Sequence, residues 1–136
     1  MDTATIERRL CEFFAASPLA AEGIVTAYLF GSVARGEAGA ASDVDVAVLP
    51  AAGPPPGLAG LYLRLQGELE RHLGLPVQVT VLDGAPVDLI HRVLRDGRLL
   101  LERNPSRRIA FEVKARREFF DLQPILRRYR RMPAEG

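Results

Sequence analysis

The chain is predicted to be an α/β (α+β) domain: a small mixed sheet of three to four strands, helices packed mainly on one face, and a C-terminal helix. Three observations predict it. Helical and strand periodicities alternate along the sequence. Two short runs, Val44 to Leu49 and Val77 to Leu82, place valine at every second position. A long helical pattern joins those two runs. At 136 residues one domain is expected, at ~100–200 residues per domain, with a core over about 20–102 and a basic helical segment over about 104–131.

The elements follow in order. Ile6, Leu10, Phe13 and Phe14 recur at helical spacing over residues 3–16, with Asp2 or Thr3 as cap and Ser17-Pro18 as stop. Ile24 to Phe30 is β-branched and aromatic, as a buried strand is. Ser32 to Glu37 is expected to make one or two helical turns, and the small residues of 38–42 a loop. Val44 to Leu49 is the second strand. Pro50 to Gly57, with Pro54-Pro55-Pro56, reads as a surface loop. Leu58 to Leu73 carries Leu61, Leu65, Leu69 and Leu73 on one helix face, and Gly74 sits at its C-cap. Val77 to Leu82 is the third strand, Asp83-Gly84 a turn, and Pro86 the first turn of a helix to about Arg95. Arg98 to Glu102 is a short fourth strand. Asn104-Pro105 opens the last helix, where Pro124 should kink or divide the pattern Phe119, Leu122, Ile125, Leu126, Tyr129.

Strand parity then locates a site. Val44, Val46 and Val48 share one face, and Asp43, Asp45 and Ala47 the other; Val77, Val79 and Val81 oppose Gln78 and Thr80 in the same way. The valine face should pack on helices and the other face should floor a cleft. Asp43 and Asp45, with Cα atoms roughly 6.6 Å apart at ~3.3 Å per residue, repel unless a cation lies between them. A hard divalent ion such as Mg²⁺ suits their oxygens and commonly brings phosphate oxygens with it. Gly31-Ser32, ending the apolar strand just upstream, offers backbone amides and a hydroxyl to those phosphates. Arg35, three residues on, would return to the same face and reach phosphate or acceptor. Ser42 can cap or brace the loop before Asp43. Glu37 is a weaker candidate, and His72 and His91 fall on helices away from the motif.

Gly31-Ser32-Val33-Ala34-Arg35-Gly36 followed by Ser42-Asp43-Val44-Asp45 resembles the signature of the nucleotidyltransferase superfamily that includes DNA polymerase beta. Within it the segment is similar to the minimal nucleotidyltransferases (Mnt, MntA-like), over about residues 20 to 130. The resemblance implies ATP as substrate, one or two Mg²⁺ ions held by Asp43 and Asp45, and nucleotide contacts from Gly31, Ser32, Arg35 and Ser42. It also implies a partner, a HEPN-type toxin that accepts AMP on a tyrosine. In one respect the chain departs from the pattern. The family carries a third carboxylate on the next core strand, a few residues before a Leu-Asn/Asp-x-x-Pro stretch. Here that stretch is Leu82-Asp83-Gly84-Ala85-Pro86 and the matching residue is Gln78, which is neutral and cannot accept a proton. Nucleotide–Mg²⁺ binding should therefore survive better than chemistry. The alternative is a weakened or inactive antitoxin that neutralises its partner by contact. Nucleotidylation of a small molecule is less favoured, since enzymes of that kind add a larger second domain.

Composition narrows the rest. No apolar run reaches the ~18 residues of a membrane span. The N-terminal segment is already amphipathic and acidic, so no secretory leader is expected and cytoplasm is the default. The single Cys11 excludes an internal disulfide. Of eighteen basic residues seventeen are arginine; residues 1–102 hold 8 basic and 13 acidic side chains, residues 103–136 hold 10 and 4. The basic end suits an acidic partner or a solvated helix face, and Arg127-Arg128-Tyr129-Arg130-Arg131 is a candidate docking segment. Direct nucleic-acid binding is not expected, because aromatic residues do not interleave with the charges. Homo- or hetero-oligomers fit the pattern equally.

Overall fold

The computed structural model describes residues 1–39, 42–51 and 58–131. The expected loop Pro54-Pro55-Pro56 and the side chains of Leu126, Tyr129, Arg130 and Arg131 lie outside the described residues. The order is α1 (Thr3–Ala16), α2 (Pro18–Gly23), β1 (Ile24–Phe30), α3 (Gly31–Ala34), β2 (Val44–Pro50), α4 (Leu58–Leu73), β3 (Val77–Val81), α5 (Val87–Asp96), β4 (Arg98–Glu102) and α6 (Pro105–Arg131). The strands form one mixed sheet in the order β3-β2-β1-β4. β1 runs antiparallel to β2 and to β4, while β2 and β3 are parallel. A parallel pair cannot be joined by a hairpin, so the α4 crossover is what the long helical pattern between the two valine runs had to become.

The helix ends form where the local chemistry puts them. Asp2 caps α1 by accepting from the Thr5 amide at 2.8 Å. Ser17 ends α1 and caps α2, its hydroxyl accepting from the Ala20 amide, with Pro18 at the first helical position. The expected stop at Ser17-Pro18 is thus also a start, and α2 is an element not anticipated from the sequence. Gly74 closes α4 at φ +71° and Gly84 turns the chain at φ +79°, where side-chain-bearing residues are strained. Asn104 caps α6 through the Arg107 amide. Instead of dividing at Pro124, α6 continues as one helix to Arg131.

Alternation on the strands sorts the core into two parts. On the valine face, Val44, Val46, Val48 and Val77 meet Ile6, Leu10 and Phe14 of α1, Leu19 and Ala20 of α2, and Leu65, Leu69 and Leu73 of α4. Burying each of these larger side chains contributes about 1.5–3 kcal/mol. Cys11, His72 and Phe13 are structural here: Cys11 is a free thiol packed at the edge of this core, and the His72 ring lies against Phe13 with Nε2 at 2.9 Å from the Arg9 carbonyl. The opposite face is only partly the open floor expected of it. Ile90 and Val93 of α5 and Ala115 of α6 close over Val25, Tyr28, Ala47 and Leu49. Arg107 fastens α6 there by donating to the Pro50 carbonyl at 2.7 Å and to Asp83 at 3.2 Å. What stays open is the end of the sheet where β1 stops and β2 begins. Among the described residues no helix is long and apolar enough to cross a membrane.

Candidate active site

β1 delivers its last residue, Phe30, opposite Asp45 in the antiparallel register, and β3 places Gln78 beside Asp45 in the parallel one. Three strands therefore fix the surroundings of Asp45. After Phe30 the chain turns at Gly31, which has φ +76°. Glycine suits this φ, and a methyl group on Gly31 would displace the Asp45 carboxylate. The turn enters α3, anchored by buried Val33 and Ala34 and tied to α1 by the Thr3 hydroxyl, which donates to the Val33 carbonyl at 2.7 Å.

The open end of the sheet is a cleft of about 430 Å³, lined by Gly31, Ser32, Arg35 and Asp45 with Gln78 and Thr80. Gly31, Ser32, Arg35 and Asp45 come together as the motif reading required. Asp43 stands just ahead of β2, exposed, and is not among the residues that line the cleft. It is near enough to act on Asp45. Burial first, then the Asp43 charge, pushes the Asp45 carboxyl above its ordinary pKa, while Arg35 pulls it back. Ser42 is not among the lining residues. Its hydroxyl accepts from the Gly39 amide at 3.0 Å, and its own amide donates to the Gly39 carbonyl, which braces the loop ahead of Asp43.

Five cleft residues were not singled out as site candidates from the sequence: Phe30, Thr80, Leu89, Arg92 and Asp96. Thr80 shares the parity of Gln78 and was legible on that ground. Leu89, Arg92 and Asp96 are spaced by three and four on α5, a single helix face, but nothing local said that this face looks at β2. Asp96 is not a spare carboxylate. Arg95 holds it through two bonds of 2.9 and 3.0 Å, Arg35 approaches at 3.6 Å, and its carboxyl is held below the ordinary value, chiefly by Arg95. Arg35 also donates to Glu37 at 3.0 Å. Arg92 makes no ion pair among the described residues and is the cleft's free cation there.

The donor set fits a divalent metal carried by phosphate. Asp45, whose proton affinity is raised by burial and by the neighbouring Asp43 charge, is one carboxylate donor, Asp43 is a second close by, and Gln78 adds a neutral amide oxygen. Among the described residues no three acidic, histidine or cysteine side chains come together as a complete metal cage. Oxygens from a bound triphosphate would fill such an incomplete shell, as is usual for Mg²⁺.

A mixed β3-β2-β1-β4 sheet, with a glycine-serine turn abutting an aspartate at the open end, defines a nucleotidyltransferase-type core. The family described as polymerase beta, nucleotidyltransferase matches residues 17–106, and the chain belongs to that family. It is similar to a solved chain described as a minimal nucleotidyltransferase, at 34% identity over 72% of this chain and 95% of the other, with TM-score 0.60. It shares its fold with a chain of a toxin-antitoxin structure containing AMP-PNP, at 23% identity over 90% and 97% of the two chains and TM-score 0.66. It likewise shares its fold with a chain from the complex of tri-AMPylated Shewanella oneidensis HEPN toxin with MNT antitoxin, at 21% identity over 93% and 98% and TM-score 0.62. Comparison with curated proteins gives no match.

Proposed function

We propose that this chain transfers AMP from ATP to a hydroxyl group, in a Mg²⁺-dependent reaction whose acceptor is a tyrosine of a HEPN-type toxin in the cytoplasm. The observation that carries the reading is the seating of Asp45 against the Gly31-Ser32 turn inside the cleft. Asp43 and Asp45 would hold the divalent ion, which supplies charge neutralisation on the phosphates when bound. Amides of the Gly31-Ser32 turn and the Ser32 hydroxyl receive the terminal phosphate oxygens. Arg35, exchanging Glu37 or Asp96 for phosphate, adds a planar cation. The acceptor oxygen forms a bond to the α-phosphorus as the bond to pyrophosphate breaks. In-line positioning and charge stabilisation carry most of the work, with no covalent enzyme intermediate. The partner assignment draws on the fold shared with the MNT–HEPN complex.

A second reading is favoured by one specific observation. Gln78, the residue that the sequence resemblance matches to the family's third carboxylate, lies beside Asp45, and among the described residues the one other acid lining the cleft, Asp96, is already paired. In that reading the chain binds nucleotide, transfers slowly or not at all, and neutralises its partner by contact. One experiment separates the two: labelled ATP, Mg²⁺ and the HEPN partner are incubated with the wild type, with Gln78→Asp and with Asp45→Asn. Transfer by the wild type that rises in Gln78→Asp and vanishes in Asp45→Asn supports the enzyme. A stable complex without transfer in the wild type supports the contact antitoxin.

A further inference from the structure

We propose that the outer surface of α5 and α6, centred on Phe120, is the docking face for the acceptor protein, and that it takes an apolar segment edged with carboxylates. This rests on the reading that the acceptor is a protein, and it adds where that protein sits. The inner side of α6 is accounted for. Ala115 and Phe111 pack on the second core, and the Tyr28 hydroxyl donates to Glu112 at 2.9 Å. The outer side is not. Ile109, Val113 and Phe120 are 50%, 45% and 73% exposed. At 3.6 residues per turn they fall within about 40° of one another around the helix, so they form one stripe. Aligned apolar exposure of this kind marks a contact surface more often than scattered residues do.

Beside the stripe lies a groove of about 420 Å³ between α5 and α6. Leu94, Phe119 and Phe120 give it an apolar floor, and the His91 ring stacks on Phe119 at 3.6 Å. Arg116 and Arg95, the latter already paired with Asp96, stand on its rim, and among the described residues no carboxylate lines it. Both arginine side chains stay more than half exposed, and the contact of Arg116 with Glu112 is a loose 3.8 Å. The whole of α6 carries nine basic and three acidic residues. An acidic occupant is what this charge selects. A protein fits the whole surface better than nucleic acid, because beyond the groove the stripe continues in aliphatic Ile109 and Val113, which offer bases no stacking surface.

Position relative to the cleft completes the argument. Leu89, Arg92 and Asp96 on one side of α5 line the cleft, while His91, Leu94 and Arg95 on its other side line the groove. A partner seated in the groove is therefore about one helix diameter, ~10 Å, from the reacting centre. That is a distance an adjoining loop of the partner spans with its acceptor side chain.

The test measures two bindings by calorimetry on the same proteins: HEPN partner, and ATP with Mg²⁺. Phe120→Glu should weaken partner binding by roughly 30-fold or more, as loss of a central aromatic anchor does. Arg116→Glu should weaken it by about tenfold. Both should leave ATP binding and thermal unfolding as in the wild type, and Leu63→Glu, at an equally exposed apolar residue of α4 (71%), should change nothing. Partner binding unchanged in both α6 variants, or lost in Leu63→Glu alone, overturns the docking face. A wild type that binds ATP but no HEPN protein overturns the partner reading itself, and the docking face with it. Salt-sensitive binding of an RNA oligonucleotide, lost in the α6 variants while partner binding persists, would make this a nucleic-acid surface and also overturn the proposal.

Discussion

The two faces of the sheet are built from the same strands and obey opposite rules. On one, Val44, Val46, Val48 and Val77 are sealed under α1, α2 and α4. On the other, Ala47 and Leu49 are sealed under α5 and α6, yet Asp45, two residues before Ala47, opens into the cleft with Gln78 and Thr80. The change from dry core to reactive site takes place within one pleat of β2. Covering helices, more than the sheet, decide where polar chemistry is permitted. A carboxylate at the position of Ala47 would be stranded without water; at Asp45 it has solvent and an exposed acidic neighbour.

Substitutions can break or sharpen that contrast. The largest effect belongs to the sealed side. Leu69→Ala, at a fully buried residue of α4, should cost about 3 kcal/mol in urea unfolding and leave ATP affinity unchanged. A change in affinity would mean that the two faces are coupled. Gly31→Ala comes next. Strain at positive φ and the collision with Asp45 should cost about 1–3 kcal/mol and also weaken ATP–Mg²⁺ binding, since the carboxylate must move. Asp2→Ala removes a cap remote from the cleft and should cost about 1 kcal/mol with no functional effect.

Asp45→Asn should have the smallest effect on stability, and of the opposite sign. Removing the half-buried one of two neighbouring carboxylates should stabilise the metal-free protein by ~0.5–1 kcal/mol while abolishing Mg²⁺-dependent nucleotide binding. The pH dependence follows from the raised pKa of Asp45. The folded state holds that proton more tightly than the unfolded state. As pH rises through the raised folded pKa, the proton is lost and metal-free stability declines. Nucleotide–Mg²⁺ binding runs the other way, strengthening as Asp45 ionises. Asp96, whose pKa is lowered, contributes the reverse slope. The informative quantity is thus the difference between wild type and Asp45→Asn in thermal melts across pH 4 to 7. Equal slopes in the two proteins would mean that Asp45 is not under strain from its surroundings.

Much of this contrast was written in the sequence, because it depends on period-2 alternation and on residues that punctuate the chain. β1 and α4 occupy the residues their patterns marked, and Asp45 and Gln78 share the sheet face that parity gave them. What the sequence hid is contributed from a distance. Arg92 and Asp96 enter the cleft from α5, whose amphipathic pattern marks an inner side without saying which strand it meets. The cover over Ala47 and Leu49 was hidden for the same reason. α2 escaped because six residues behind a proline carry too little periodicity, and one serine serves two helices. Ser42 was legible as a brace for the loop ahead of Asp43, and its hydroxyl is engaged with Gly39 there. Pro124 breaks the hydrogen-bond ladder at a single rung, and α6 continues past it.

One bond at the far margin of the sheet bears on how this chain behaves at high concentration. β3 is an outermost strand, and the Val79 amide that points away from β2 donates to the Gln66 side-chain oxygen at 3.1 Å. A strand whose outward donor is already engaged is a poor template for recruiting another extended chain. Gln66→Leu would free that donor, and the expected outcome is turbidity on storage long before a fall in melting temperature.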